Sequence, residues 1–138
     1  MSDERPIRPD IEEALLSLRE SEQNTDREIS FGMTRGHAEA LGTIFDVGVF
    51  SSDYLGIINQ RYQTVSDISD RIKSELAKKT QTDVIALKLS IGEFWQVQDF
   101  FKNDGAIVRV STGGVLNGQR IEDVKEQFAV AFLDGYFR

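Results

Sequence analysis

Apolar residues recur at intervals of three and four through the first 80 positions, which is the spacing of one face of a helix. The pattern predicts a first helix that begins at Asp10, a second that begins at Thr34 and a third over 53–79. Gly48 follows the second apolar stripe, at a place where a left-handed residue commonly ends a helix. The second and third helices are therefore predicted to form an antiparallel hairpin, in which the third helix is either continuous or broken near Gln63.

The pattern changes after position 80, where apolar runs become shorter and turn residues more frequent. It predicts a buried strand at 84–89, a helix from 91 that stops at 103–105, a strand at 106–110, a short strand at 115–118 that ends in a hairpin turn, and a helix over 121–133 that stops at Gly135. Ser90 and Glu93 have the spacing of a capping box, which supports a helix start at 91. Together these elements predict an α+β fold: a helical N-terminal half, made of a helical hairpin plus a long helix, packed with a small β-sheet or hairpin and two C-terminal helices.

The chain is expected to form one domain over 9–138, preceded by a disordered N-terminus at 1–8. With 138 residues it can bury a substantial core, and with no cysteine it has neither a disulfide scaffold nor a thiol nucleophile. No apolar run approaches the ~20 residues that cross a bilayer, and positions 1–9 are too charged for a signal peptide. We therefore predict a cytoplasmic protein that makes no use of a membrane.

Acidic residues outnumber basic ones by 23 to 16, and the net charge is −7. Residues 1–30 hold nine acidic residues and four arginines, whereas the remaining positions are close to neutral. This charge disfavours direct binding to nucleic acid, because phosphate backbones are repelled. The acidic segment leaves open another role, in which the protein mimics nucleic acid and blocks a protein that binds it.

The glycine-rich segment near position 115 is the strongest local sign of a ligand site. A phosphate-binding loop needs a lysine and a hydroxyl residue after its last glycine, and here Gln119 and Arg120 follow instead. A glycine turn before a helix still presents backbone N–H groups that attract a small anion. The candidate anion turn consists of Gly113, Gly114, Gly118 and Arg120.

No set of residues indicates catalysis, a metal or a cofactor. His37 is the only histidine, so neither a histidine pair for a metal nor a Ser-His-Asp arrangement is present, and we interpret it as structural. We predict no enzymatic activity and no cofactor.

Aromatic residues are crowded near position 97 and at the C-terminus, and cover more of a helix circumference than one core-facing stripe requires. They either seal the core or face a partner protein. The candidate partner-binding residues are Phe94, Trp95, Phe100, Phe101, Tyr136 and Phe137.

The apolar stripe of the predicted third helix has the same two interpretations. It is a candidate seam for a homodimer, and burial inside the monomer explains it equally well. The candidate dimer residues are Tyr54, Ile58, Tyr62, Val65 and Ile72.

These observations favour a protein that acts without catalysis by binding another protein, as an inhibitor, an immunity-like factor or an adaptor. The acidic mimic of nucleic acid is the first alternative. A small ligand- or phosphate-binding domain that uses the glycine turn is the second.

Overall fold

A computed structural model describes residues 9–54, 60–78, 83–116 and 118–137 of the chain. The residues predicted to be disordered, 1–8, lie outside these ranges. The elements are α1 (Pro9–Ser21), β1 (Glu28–Thr34), α2 (Arg35–Tyr54), α3 (Gln60–Ala77), β2 (Val84–Ser90), α4 (Ile91–Thr112), β3 (Val115–Leu116), β4 (Gln119–Arg120) and α5 (Ile121–Tyr136). The predicted α+β fold with a mainly helical N-terminal half is confirmed.

The main sheet pairs β1 with β2, which are 50 residues apart in the chain. The strands are antiparallel, and the register runs from Glu28 opposite Ser90 to Thr34 opposite Val84. Side chains alternate between a buried and an exposed face along both strands, as expected for a sheet covered on one side. The buried face consists of Ile29, Phe31, Met33, Ile85, Leu87 and Leu89.

β1 is a strand that the sequence analysis missed, since it placed no element between the first helix and the helix that begins at Thr34. The start of that helix is confirmed, because α2 begins at Arg35 and the Thr34 Oγ1 accepts a hydrogen bond from the backbone N–H of His37 at 3.3 Å. The strand before it is stabilised by β2, a partner far away in the sequence. Its alternating pattern contains only three apolar residues, which is too few to predict a strand from the sequence.

α2 and α3 pack antiparallel, as predicted for a helical hairpin. Arg35 at the start of α2 donates a hydrogen bond to the carbonyl of Leu76 at the end of α3, at 2.9 Å. Further along, the buried Ser69 donates to the Asp46 carboxylate at 2.8 Å. The two contacts hold the helices together at one end and near the middle of their interface.

The predicted bounds of these helices were wrong in two respects. Gly48 does not end α2, which continues to Tyr54. The glycine lies instead where α2 passes close to the Phe100 ring, which leaves no room for a side chain. Positions 53 and 54 belong to α2 and α3 begins at Gln60, so the predicted start of the third helix at 53 was wrong. α3 passes through Gln63, so the alternative of a break near Gln63 was wrong as well, and positions 55–59 lie outside the described residues.

α4 is longer than predicted and replaces a predicted strand. The helix passes through 103–105, the predicted stop, and through 106–110, the predicted strand, before Gly113 ends it in a left-handed conformation with φ 71°. A turn-favouring tripeptide lowers helix stability by about 1 to 2 kcal/mol and does not prevent a helix, and a short apolar run is compatible with either structure. Gly135 likewise lies inside α5, not after it.

The start of α4 is held by the predicted capping box and by an ion pair. The Ser90 hydroxyl accepts from the Glu93 backbone N–H at 3.1 Å, and the Glu93 carboxylate accepts from the Ser90 backbone N–H at 2.9 Å. Arg71 of α3 donates to both carboxylate oxygens of Glu93, at 3.0 and 2.5 Å. Burial raises the pKa of Glu93, but the hydrogen bonds from Arg71 and Ser90 lower it by more, so the pKa lies below its ordinary 4.5.

We expect Glu93→Gln to lower the free energy of unfolding by about 1 kcal/mol near pH 7, because a charge-assisted bidentate pair is lost at a partly exposed site. A carboxyl with a lowered folded-state pKa stabilises the fold above pH 4.5, and this contribution disappears as the pH falls through the lowered pKa. Urea denaturation of both proteins between pH 7 and 3 measures the difference. Glu75→Gln, which removes an exposed pair with Lys78, is the control and should change stability by less than about 0.5 kcal/mol. A Glu93→Gln difference that is the same at pH 3 and pH 7 would contradict the assignment.

Candidate functional site

Three of the predicted partner-binding aromatics lie in the hydrophobic core. Phe94 and Phe100 are fully buried, so no partner reaches them in this fold, and Phe101 is 6% exposed. Phe94 stacks on Phe132 of α5, with ring centres 4.0 Å apart. The partner-binding assignment of Phe94 and Phe100 is corrected to core packing, which was the other interpretation of the aromatic cluster. Phe101 packs in the core and keeps a small exposed area, so its role in binding a partner stays a prediction.

The other three aromatics remain accessible to different degrees. Trp95 and Tyr136 are half-buried, and Phe137 is 59% exposed. Neighbouring residues of a helix point about 100° apart, so Trp95 lies outside the core face that contains Phe94. Their role in binding a partner stays a prediction.

The candidate dimer stripe is buried within the monomer where the structure describes it. Tyr62, Val65 and Ile72 pack in the core and do not form an exposed seam. The side chain of Tyr54 and the whole of Ile58 lie outside the described residues. The interpretation of this stripe as a dimer interface is therefore replaced by burial in the monomer for the three described residues.

The candidate anion turn has a backbone explanation. Gly113 ends α4, Gly114 accepts from the first backbone N–H of α5, and Gly118 occupies the hairpin between β3 and β4 with φ 77°. These positive φ values explain the glycines without a ligand. Arg120 approaches Glu122 to 4.0 Å, and the acidic first turn of α5 already compensates the positive end of the helix dipole.

Within the described ranges, no three His, Asp or Glu side chains come together as a metal site. The His37 Nδ1 lies 2.6 Å from the Thr34 hydroxyl, so the only histidine takes part in the cap of α2. None of the described helices is both long and apolar enough to span a bilayer.

A groove of about 390 Å³ lies between α1, α4 and α5. We call it the α1–α4 groove. Leucine, tryptophan and phenylalanine side chains form its apolar part, and three cationic and two anionic side chains lie around them. The lining residues are Glu12, Leu15, Leu16, Arg19, Trp95, Gln98, Asp99, Phe101, Lys102 and Lys125.

A cation–π contact joins α1 to α4 across the groove. The Arg19 guanidinium lies 4.4 Å from the centre of the Trp95 ring. Arg19 is near the C-terminal end of α1 and Trp95 near the N-terminal end of α4, so these two helix ends lie next to each other.

The end of α1 is also attached to the end of α5. The Tyr136 hydroxyl donates to the Glu22 carboxylate at 3.2 Å, and Arg27 pairs with the same oxygen at 2.6 Å. The hydrogen bond from Arg27 holds the pKa of Glu22 below its ordinary value. Tyr136, predicted to bind a partner, thus has a structural contact that positions one wall of the groove.

The groove contains an unsatisfied polar group. The Gln98 Nε2 is buried and has no hydrogen-bond acceptor, and it is the one buried side-chain nitrogen or oxygen of the described residues in this condition. A buried donor without an acceptor is destabilising by about 1 to 3 kcal/mol, and such groups are uncommon in folded proteins.

Sequence reasoning identified Trp95 and Phe101 and missed the other residues that line the groove. Leu16 lies on α1, whereas Gln98 and Lys102 lie on the polar side of α4. No local pattern in the sequence connects α1 with α4. The positions of Trp95, Gln98 and Lys102 follow helical spacing and mark one face of α4 next to its core face. That spacing was the available signal.

The chain was compared with family models, curated proteins and solved structures, and none of them matches it.

Proposed function

We propose that the protein acts without catalysis by binding another protein, and that the partner docks in the α1–α4 groove. The observation that carries the proposal is the half-buried Trp95, which lines the groove together with the exposed Leu16. Tryptophan is among the residues that most often dominate the binding energy of protein interfaces. An inhibitor or adaptor role requires such a surface and no catalytic group.

The shape of the surface around Leu16 favours a protein over a small ligand. Leu16 is 58% exposed and stands between the α1–α4 groove and a second hollow, which is lined by Glu13, Ser17, Glu20 and Ser21. Small-molecule sites enclose most of their ligand, whereas here an apolar ridge projects between two open depressions. A partner segment that covers Leu16 and enters the groove would remove both the ridge and the Trp95 ring from water.

Leu16→Glu tests this proposal, because an exposed position tolerates the change while the groove loses an apolar contact and gains a charge. The partner is first captured with the wild-type chain, and its Kd is then measured for wild type, for Leu16→Glu and for Val115→Glu. Val115 is 49% exposed and lies on β3 outside the groove, so it is the matched control. We expect at least about a tenfold weaker Kd for Leu16→Glu and an unchanged Kd for Val115→Glu.

A partner that binds Leu16→Glu as tightly as wild type would overturn the groove as the docking site. The acidic-mimic alternative predicts a different result: binding that weakens in the double variant Glu13→Gln with Glu20→Gln, on the outer face of α1, and falls steeply with salt. Deletion of residues 1–30 does not discriminate, because it removes α1, which supplies four of the ten residues that line the groove.

A further inference from the structure

We propose that the outer edge of β2 is a further interaction surface, at which a single extended segment of a partner protein adds a third strand to the sheet of β1 and β2. The edge is centred on Ala86, beside a hollow of about 290 Å³ between β2 and α3. No residue lines both this hollow and the α1–α4 groove. Binding at the edge therefore does not depend on binding in the groove.

The ladder between β1 and β2 determines which backbone groups of β2 face outward. Antiparallel strands alternate between residue pairs that exchange hydrogen bonds and pairs that do not. At one end of the ladder the Arg35 N–H donates to the Asp83 carbonyl at 2.7 Å, and at the other the Ile91 N–H donates to the Arg27 carbonyl at 2.9 Å. The odd-numbered residues therefore form the bonded pairs, and the even-numbered residues of β2 direct their N–H and C=O groups away from β1.

The outward groups near the C-terminal end of β2 have partners inside the protein. The Ser90 N–H donates to the Glu93 carboxylate at 2.9 Å, and the Lys88 carbonyl accepts from the Arg71 guanidinium at 3.3 Å. In the middle of the strand, no hydrogen bond from a described residue reaches the N–H or C=O of Ala86 or the N–H of Lys88. Both residues are exposed and line the hollow, so these groups can pair with another strand.

The outer edge of β1, in contrast, is covered by α5. A Cβ on Gly135 would lie 2.5 Å from the carbonyl oxygen of Ser30, which points away from β2. The backbone of α5 thus lies directly against this edge and leaves no space for another strand. Covering an edge with another element prevents unwanted pairing, and this protection is missing at Ala86.

The surroundings of the hollow favour one extended segment over a second copy of this chain. Arg71 and Glu75 of α3 form its far wall, within one arginine side chain of the strand edge. Two copies joined edge to edge by a two-fold axis keep their helices on the same side of the sheet. Their α3 helices would then overlap, because adjacent strands are only about 4.8 Å apart and packed helices need about 8 to 10 Å. A single segment brings no helix with it.

The exposed face of β2 indicates which side chains the segment carries. Residues directly opposite each other on adjacent strands place their side chains on the same face. Val84 is 51% exposed, and the Lys88 ammonium forms no ion pair with a described residue. An antiparallel segment centred opposite Ala86 therefore gains most from an acidic residue opposite Lys88 and a β-branched residue opposite Val84. In chain order, the acidic residue comes first and the β-branched residue four positions later.

A short peptide tests the edge without knowledge of the partner. The probe is the end-blocked peptide Thr-Glu-Thr-Ser-Thr-Val-Thr, titrated into the isotope-labelled full chain and followed by NMR. In the free chain, the Ala86 amide should exchange its hydrogen at least about tenfold faster than the Leu87 amide, which is bonded to β1. The peptide should shift the Ala86 and Lys88 amide signals and slow their exchange about twofold once half of the chain is bound.

Matched changes on both sides of the contact identify strand pairing. N-methylation of the central serine removes the peptide N–H that would donate to the Ala86 carbonyl, and Ala86→Pro removes the N–H on the protein side. Each should weaken the Kd about fivefold, whereas Ala86→Ser, which keeps the N–H, should leave it unchanged. Proline is tolerated where the N–H of an edge strand faces solvent, and the methylated peptide gives its answer on the unchanged chain. Lys88→Gln should remove the preference for this peptide over the same peptide with glutamine in place of glutamate.

Strand addition is overturned if the Ala86 amide of the free chain is as protected as that of Leu87, which would show that the chain itself covers the edge. It is also overturned if the peptide shifts neither signal at millimolar concentration, or if the methylated peptide binds as tightly as its parent. Shifts of these signals with protein concentration alone would assign the edge to a second copy. None of these results bears on the effect of Leu16→Glu on a captured partner, so the two proposals can fail separately.

Discussion

Replacement of Phe94 with alanine is expected to lower the free energy of unfolding by about 3 to 5 kcal/mol, the range measured when a buried aromatic residue is truncated. Phe94 is fully buried where α4 meets α5. Its ring lies nearly parallel to that of Phe132, at 8° and 4.0 Å, and stacks on Phe128 at 5.5 Å. Phe132 in turn packs edge-on against Phe31 of β1 at 5.5 Å. The truncation therefore leaves a cavity between both helices and the sheet, where no neighbour moves independently to fill it.

Urea denaturation followed by far-UV circular dichroism measures this loss. The fluorescence of Trp95 is unsuitable for the comparison, because its ring contacts Phe94 at 5.2 Å. Phe137→Ala is the matched control: the same truncation at a 59% exposed position should change the free energy of unfolding by less than about 0.5 kcal/mol. Equal effects of the two variants would show that Phe94 does not occupy the core.

Features encoded by a few neighbouring residues were predictable from the sequence. The capping box of Ser90 and Glu93 placed the start of α4 correctly, because both hydrogen bonds form within one helical turn. The turn at Gly118 was predicted for a similar reason, since a two-residue hairpin loop requires a positive φ. Hydrophobic periodicity also separated the helical first half from the mixed second half.

Features that depend on distant partners were not predictable in the same way. β1 is stabilised by hydrogen bonds to β2. The short alternation of Ile29, Phe31 and Met33 is too weak to predict a strand unless that pairing is known. α4 continues through 103–105 although the local residues favour a turn, which shows that the fold overrides a local preference of about 1 to 2 kcal/mol.

The candidate site was only partly predictable for the same physical reason. Its defining contact joins Arg19 to Trp95 across 76 positions of the chain, and no spacing within either helix implies it. The crowding of aromatics near position 97 was visible, but its division into a buried face with Phe94 and an accessible face with Trp95 depends on how α5 packs on α4. Helical spacing predicts which residues share a face, and tertiary packing decides which face is covered.

The second large effect is expected for Gly48→Ala, which should lower the free energy of unfolding by about 1 to 3 kcal/mol even though alanine is the better helix former by about 1 kcal/mol. A Cβ at this position would lie 2.2 Å from the end of the Phe100 ring, which is closer than any van der Waals contact allows. The ring has little room to move, because it is fully buried and packs edge-on against Phe45 at 5.6 Å and Tyr62 at 6.4 Å. The absence of a side chain at Gly48 thus allows α2 and α4 to approach each other.

Gly42→Ala makes the same chemical change on the same helix and should have the opposite sign. A Cβ on Gly42 would meet the Ile72 side chain at 3.6 Å, an ordinary contact, so the variant should gain up to about 1 kcal/mol from helix preference. Chemical denaturation of both variants and wild type gives the two differences under one set of conditions. Stabilisation by Gly48→Ala would mean that α2 and α4 do not cross at this position. Changes of opposite sign in the free energy of unfolding at positions 42 and 48 would instead locate the crossing to within two turns of α2. The reason is that both glycines lie on one helix and differ only in what lies opposite them.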